Sequence, residues 1–271
     1  MTLKNLTLTG GNGGIAPGGG LYNDGTATLI NVTLSGNRAF WGGGIENSGT
    51  VTLTNVTLSN NTAFPGSGGG IENYNTATLN DVTLNGNYAH DGGGGIDNEG
   101  TMTLNNITLS NNWAGGGGIS NGGTATLTNT TLDGNLGDGI WGYTGTIILK
   151  NTVIANSPSN GNCVLANNPS SHLNSNGFNL SDDNSCTAYF IQPGDKNNLN
   201  AHLGGLANYG GSTLTHMPLR GSPLIDKGQC STGTDQRGKP RPVGIACDIG
   251  AVERQPGDWD GYMYLPLALK K

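Results

Sequence analysis

One repeated phrase limits what this chain can fold into more than any other feature. The pattern T-L-x-N-(V/I/L/T)-T-L recurs with its first Leu at Leu3, Leu29, Leu53, Leu79, Leu104 and Leu127, and a decayed copy stands at Leu149. The intervals are 26, 24, 26, 25, 23 and 22 residues, about 24 on average. A second phrase, G-G-G-(I/L)-x-N, falls between the copies at 18–23, 42–47, 68–73, 93–98 and 116–121. Within each copy apolar residues alternate with Thr, as in Thr26-Ala27-Thr28-Leu29, the period of a strand with one buried face. Strands this short cannot bury that face alone. Stacking one repeat on the next joins the apolar rows into a continuous core. The expected fold is therefore all-β, a right-handed single-stranded parallel β-helix (β-solenoid) with about 24 residues per coil and a disulfide-bearing C-terminal closing region.

Composition removes the competing classes. Of 271 residues, 49 are Gly, 36 Asn and 30 Thr. These are poor helix formers, so a helical protein is excluded. The glycines have no three-residue period, which excludes collagen, and no apolar run is long enough for a membrane-spanning helix. Asn repeats in three rows: Asn5, Asn31, Asn55, Asn106, Asn129 and Asn151, with Asp81 as the exception; Asn37, Asn61, Asn87, Asn112 and Asn135; and Asn23, Asn47, Asn73, Asn98 and Asn121. Asn accepts left-handed backbone at turns, and stacked amides hydrogen-bond from coil to coil. That role is preferred over glycan acceptance at phrases such as Asn31-Val32-Thr33. The Gly triplets are followed by no Gly-Lys-Ser/Thr, so they are not phosphate loops.

The net charge of −6 lies wholly in residues 1–150, which hold three basic and nine acidic residues; 151–271 hold nine of each. The absence of a basic patch in the coils argues against nucleic acid or anionic lipid as partners. Cys163, Cys186, Cys230 and Cys247 form no CxxC pair and no His stands at metal-ligand spacing from them, so two disulfides in an oxidising compartment are expected. Three connectivities are open, of which the sequential one closes the shortest loops. No signal peptide is visible. Met1 opens directly on a strand-like phrase, and that start is read as a truncation.

The second half carries more specific phrases: Asn162-Cys163, Gly177-Phe178-Asn179-Leu180, Leu203-Gly204-Gly205-Leu206-Ala207, Gly221-Ser222-Pro223-Leu224-Ile225-Asp226, Thr234-Asp235-Gln236-Arg237-Gly238 and Cys247-Asp248-Ile249-Gly250-Ala251. Together they resemble the choice-of-anchor Q domain of bacterial secreted proteins, which closes a right-handed β-helix with repeats like those of polymorphic outer-membrane proteins. The resemblance spans nearly the whole chain and is most specific over 160–253. It implies a secreted or surface-bound bacterial protein and the pairings Cys163–Cys186 and Cys230–Cys247. It carries no general activity, so no catalytic residue transfers. The organisation that follows is repetitive coils over 1–156, further coils and a cap over 157–255, and a tail over 256–271, in which Tyr264-Leu265-Pro266-Leu267 looks like a short element found after such domains.

Two outward arrays are candidate functional surfaces. The residue after each Gly-Gly-Gly-Ile phrase points away from the core, which places Glu46, Glu72 and Asp97 on successive rungs about 5 Å apart. Such a row suits a cation, with calcium as the candidate, or the paired carboxylates of glycoside hydrolysis; its plain role is a solvent-facing polar column. Phe40, Trp41, Phe64, Tyr88, His90 and Trp113 lie in neighbouring turns, and aromatic faces stack on sugars. Arg38 is the one Arg of the coils, which disfavours a lyase acting on uronates. The second array is Thr-x-Thr: Thr26 and Thr28, Thr50 and Thr52, Thr76 and Thr78, Thr101 and Thr103, Thr124 and Thr126. This grid resembles those of ice-binding solenoids, while Thr is also a favoured outward strand residue. The four histidines are scattered and take packing or surface roles. Asp226, Asp235, Arg237, Arg241, Asp248 and Glu253 are expected to close the helix end with salt bridges. Asp182-Asp183 is too short a phrase to count as a calcium motif.

The functional expectation is a non-enzymatic extracellular or cell-surface protein serving adhesion, surface or matrix structure, with extracellular polysaccharide or cell-surface components as partners and end-to-end self-association through an uncapped first coil. A polysaccharide-active enzyme using the carboxylates and an ice-binding protein are the alternatives.

Overall fold

The structure is a computed structural model, and it describes residues 1–258. The tail and its Tyr264-Leu265-Pro266-Leu267 phrase lie outside the described residues, apart from 256–258. The fold is all-β, a parallel β-solenoid. Eight strands stack along its main sheet, beginning with Thr2–Thr9, Thr26–Ser35, Thr50–Thr54 and Thr76–Asn85 and ending with His172–Ser175. A second sheet of seven strands runs from Leu21–Asn23 through Ile45–Asn47, Ile71–Asn73, Ile96–Asn98, Ile119–Asn121 and Ile140–Gly142 to Cys163–Leu165. A short third sheet joins Arg38–Ala39, Thr62–Ala63 and Tyr88–Ala89.

Register follows the repeat. Leu3, Leu29, Leu53, Leu79, Leu104, Leu127 and Leu149 are paired in turn along the main sheet. From Leu29 onward they are completely buried, as are Leu34, Leu58, Leu84, Leu109 and Leu132 on the far side of the bend and Ile45, Ile71, Ile96 and Ile140 on the second sheet. Each such side chain contributes roughly 1.5–3 kcal/mol through burial. Repetition is what makes three apolar rows a core.

Corners are set by residues that tolerate positive φ. The long strands bend at Asn5, Asn31, Asn55, Asp81, Asn106, Asn129 and Asn151, all with φ between 51° and 57°. The second corner takes Gly36, Gly86 and Gly134 in some coils and Asn60, Asn111 and Asn156 in others, again with positive φ. The interchange follows from the αL conformation that both residues accept.

Asn ladders hold the coils in line. Asn37, Asn61, Asn87, Asn112 and Asn135 are buried, and each Nδ2 donates to the next Oδ1 at 2.9–3.0 Å. Asn23, Asn47, Asn73, Asn98 and Asn121 form a second buried ladder at 2.6–2.8 Å. At this depth an unpaired amide is costly, so complete ladders specify the coil-to-coil register.

The disulfides are Cys163–Cys186 and Cys230–Cys247, a bond type that persists in oxidising compartments. Cys186 and Phe190 join the main core at the last coil, with Tyr189 against them. The salt-bridged segment, by contrast, lies along a flank of the stack rather than over its end. Gln236 bonds Thr83 and Thr108, Thr83 donates to the Leu214 carbonyl, and His216 meets Ser110. Thr131 accepts from the Ala251 N–H, and Asn151 donates to the Asp248 carbonyl. Arg237 pairs with Asp235 at 2.9 Å and Arg241 with Glu253 at 3.4 Å. Polar Thr hydroxyls past the Asn bend require polar partners once covered, which the Leu214 carbonyl and Gln236, itself donating to the Thr213 hydroxyl, supply. Among the described residues, no helix is long and apolar enough to cross a membrane.

Candidate functional site

The row on the second sheet is in register as the repeat implies: Tyr22, Glu46, Glu72, Asp97, Ser120 and Trp141 are consecutive ladder partners. Its environment differs from the solvent-facing column expected. Glu46 and Glu72 are each 3% exposed and Asp97 5%. The Gly-rich turns fold back over them. Gly68 has φ +69°, and a Cβ there would stand 2.6 Å from Glu72 Oε2; Gly92 has φ +56°, and its Cβ would stand 1.7 Å from Asp97 Oδ2. Only glycine allows the cover to sit this close.

Burial sets the electrostatics. Desolvation, reinforced by Asp97, pushes the Glu72 carboxyl up to about 9, with the Tyr74 hydroxyl offsetting it only in part. Asp97 is pushed up to about 6 by burial and the Glu99 charge, against the Ser67 side chain and the Gly93 N–H. Burial also raises Glu46, whose Oε1 accepts from Ser48 Oγ at 2.8 Å. Among the described residues, Glu46 Oε2 and Glu72 Oε2 are buried with no hydrogen-bond partner. A protonated Glu72 is the state this geometry favours at neutral pH. Among the described residues, no group of three or more His, Cys, Asp or Glu side chains is arranged to hold a metal ion. The Asp183 carboxylate is occupied internally by Ser181, Ser185 and the Asn162 N–H.

The aromatic residues occupy the adjacent face. Tyr88 and Trp113 share one outward column beside Arg38, their rings 5.0 Å apart. Phe40 and Trp41 pack at 4.1 Å, and Phe64 meets His90 edge-on at 5.2 Å. Trp113, Phe64, Trp41 and His90 are the exposed members. Arg38 lies over the Phe64 ring.

The Thr array is a true lattice. Thr26, Thr50, Thr76, Thr101, Thr124 and Thr146 are ladder partners in one column, and Thr2, Thr28, Thr52, Thr78, Thr103 and Thr126 in the next. Thr26, Thr50, Thr101 and Thr124 are exposed and Thr28, Thr52, Thr76, Thr78, Thr103 and Thr126 half-buried. Hydroxyls therefore repeat at about 4.8 Å between coils and about 7 Å along each strand.

A cleft of about 450 Å³ opens where the cover recedes, lined by His90, Asp91, Asp138, Trp141, Asn160 and Val164. The turn from the ladder Asn to the next Ile takes ten positions from Asn61 to Ile71, nine from Asn87 to Ile96, seven from Asn112 to Ile119 and five from Asn135 to Ile140. The shortened turns leave Trp141 half-buried instead of covered. Neither Trp141 nor Asp138 and Asn160 stood out in the sequence. The signal was there in the decay of Gly-Gly-Gly-Ile-Ser into Gly-Asp-Gly-Ile-Trp, together with the shrinking turn.

The fold and these surfaces define a parallel β-solenoid with one open aromatic cleft, one sealed carboxylate row and one Thr lattice. Compared with family models, curated proteins and solved structures, the chain matches none.

Proposed function

We propose that the protein is a non-enzymatic extracellular solenoid that acts through its lateral faces as an adhesion, surface or matrix component with a glycan-binding capacity. The observation that carries this reading is the sealing of Glu46, Glu72 and Asp97. A glycosidase presents two carboxylates to the scissile bond, one ionised and one protonated. Here the row lies beneath glycine backbone, 3–5% exposed. Two disulfides and the resemblance of 160–253 to choice-of-anchor Q domains support the extracellular, bacterial-surface assignment. A glycan array combined with a reducing-end assay, on wild type and Glu72→Gln, tests it. Binding without release of reducing ends is expected for both proteins. Turnover that Glu72→Gln abolishes would establish the enzyme instead.

The Thr lattice favours ice binding as a second reading, because twelve Thr in two columns are held at fixed spacing on a rigid sheet. Thermal hysteresis with ice shaping, lost in Thr76→Tyr, is its expected outcome. An unshaped disc of ice at millimolar protein removes it.

A further inference from the structure

We infer that the cleft beside Trp141 is the binding site for an uncharged pyranose unit of a polysaccharide, a proposal that rests on the glycan-binding reading above.

The cleft combines one aromatic platform with a few fixed polar groups, the make-up of a sugar site. Trp141 follows Ser120 in the outward row and precedes Val164. Its ring packs against Tyr143 with centroids 5.1 Å apart and a 36° tilt. The Tyr143 hydroxyl donates to Glu99. The indole is thus braced before any ligand arrives, so little ordering is needed on binding. Glycine backbone at 92, 115 and 116 lines the cleft beside it, which leaves room for a flat ring to approach the indole.

Polar groups border the platform on two sides. His90 and Asp91 are exposed and contact each other at 3.0 Å. Across from them, Asp138 is almost wholly buried and accepts from Asn160 through both the backbone N–H at 3.2 Å and Nδ2 at 3.0 Å. Asn160 comes from the turn after Ala155, and its exposed amide has an unused carbonyl oxygen to offer a sugar hydroxyl. Carboxylate and amide acceptors flanking an indole are suited to hydroxyl donors on a pyranose edge.

Charge selects among sugars. The ionisable side chains lining the cleft are His90, Asp91 and Asp138, and Asp97 lies directly beneath Gly92. Among the described residues, no Lys or Arg lines it. A uronate or sulfate would meet carboxylates with no Lys or Arg of the described residues to pair with, which disfavours anionic glycans.

Isothermal titration of the full chain with neutral hexasaccharides (β-1,4-glucan, β-1,3-glucan and α-mannan) and with hexagalacturonate tests the proposal. Binding of at least one neutral probe is expected, at least tenfold tighter than hexagalacturonate. Trp141→Ala should weaken it tenfold or more, and Trp141→Phe should recover most of the loss. Asn160→Ala, at an exposed turn position, should weaken it several-fold, with circular dichroism confirming that the variant is folded. Failure of all neutral probes, equal affinity for hexagalacturonate, or unchanged affinity in both Trp141→Ala and Asn160→Ala would overturn it. Unchanged affinity in those variants leaves glycan binding standing and moves it elsewhere, whereas reducing ends released by wild type would strike the non-enzymatic reading alone.

Discussion

Glu72 and Asp97 face one another on adjacent rungs of the second sheet, paired in register and both almost fully removed from water. Two carboxyls so placed cannot both ionise without a large cost, because burial and their mutual repulsion both penalise the charged forms.

That relationship makes stability depend on pH with a definite sign. The folded-state value of Glu72 is raised to about 9 from 4.5, and that of Asp97 to about 6 from 3.8. The folded state therefore holds protons that the unfolded chain gives up, and stability falls as pH rises between the unfolded and folded values. For Asp97 the fall spans about pH 4 to 6, and for Glu72 about pH 4.5 to 9. The midpoint of thermal unfolding should fall by at least several degrees from pH 5 to pH 9. Glu72→Gln should flatten most of that slope and raise the midpoint at pH 9. A slope unchanged in the variant would show that Glu72 does not hold a proton in the folded state across this range.

The ladder at Asn87 offers a sharper stability test. Its Nδ2 donates to the Leu58 carbonyl and to Asn112 Oδ1, and its Oδ1 accepts from Asn61 N and Nδ2. Asn87→Ala leaves these buried groups unpaired, at about 3–5 kcal/mol. Asn87→Asp should be worse, since an acceptor then faces two acceptors. Denaturant titration followed by circular dichroism measures both. An Asp variant as stable as wild type would contradict the assigned amide orientations.

The flank segment should behave as a separable cover. Cys230–Cys247 closes its far part, and a loop of this size contributes about 3 kcal/mol. Replacing both with Ser should expose 220–250 to limited proteolysis, with the coil signature in circular dichroism largely retained. Cleavage in the coils before the flank would contradict this order of stability.

The coils could be read from the sequence because each corner, ladder and core row repeats, so one coil's chemistry is checked by the next. Leu29 and Leu53, or Asn61 and Asn87, need no structure to be assigned. What the repeat could not convey is what happens outside the coil. Glu46 and Glu72 do point away from the core, yet Gly42 and Gly68 bring the turn back over them, and the spacing of alternate residues carries no information about that. The flank position of Gln236 was hidden for the same reason: its partners Thr83 and Thr108 are more than 120 residues away. Trp141 was missed because it departs from the repeat, and departures are where a solenoid breaks its own symmetry.

The most direct test of the account is electrophoresis of the intact chain through gels cast with neutral polysaccharide, with the polysaccharide sized afterwards. The account predicts retarded migration that Trp141→Ala abolishes, and polysaccharide recovered at its original length. Shortened polysaccharide, or migration unaffected by any neutral glycan, would contradict it.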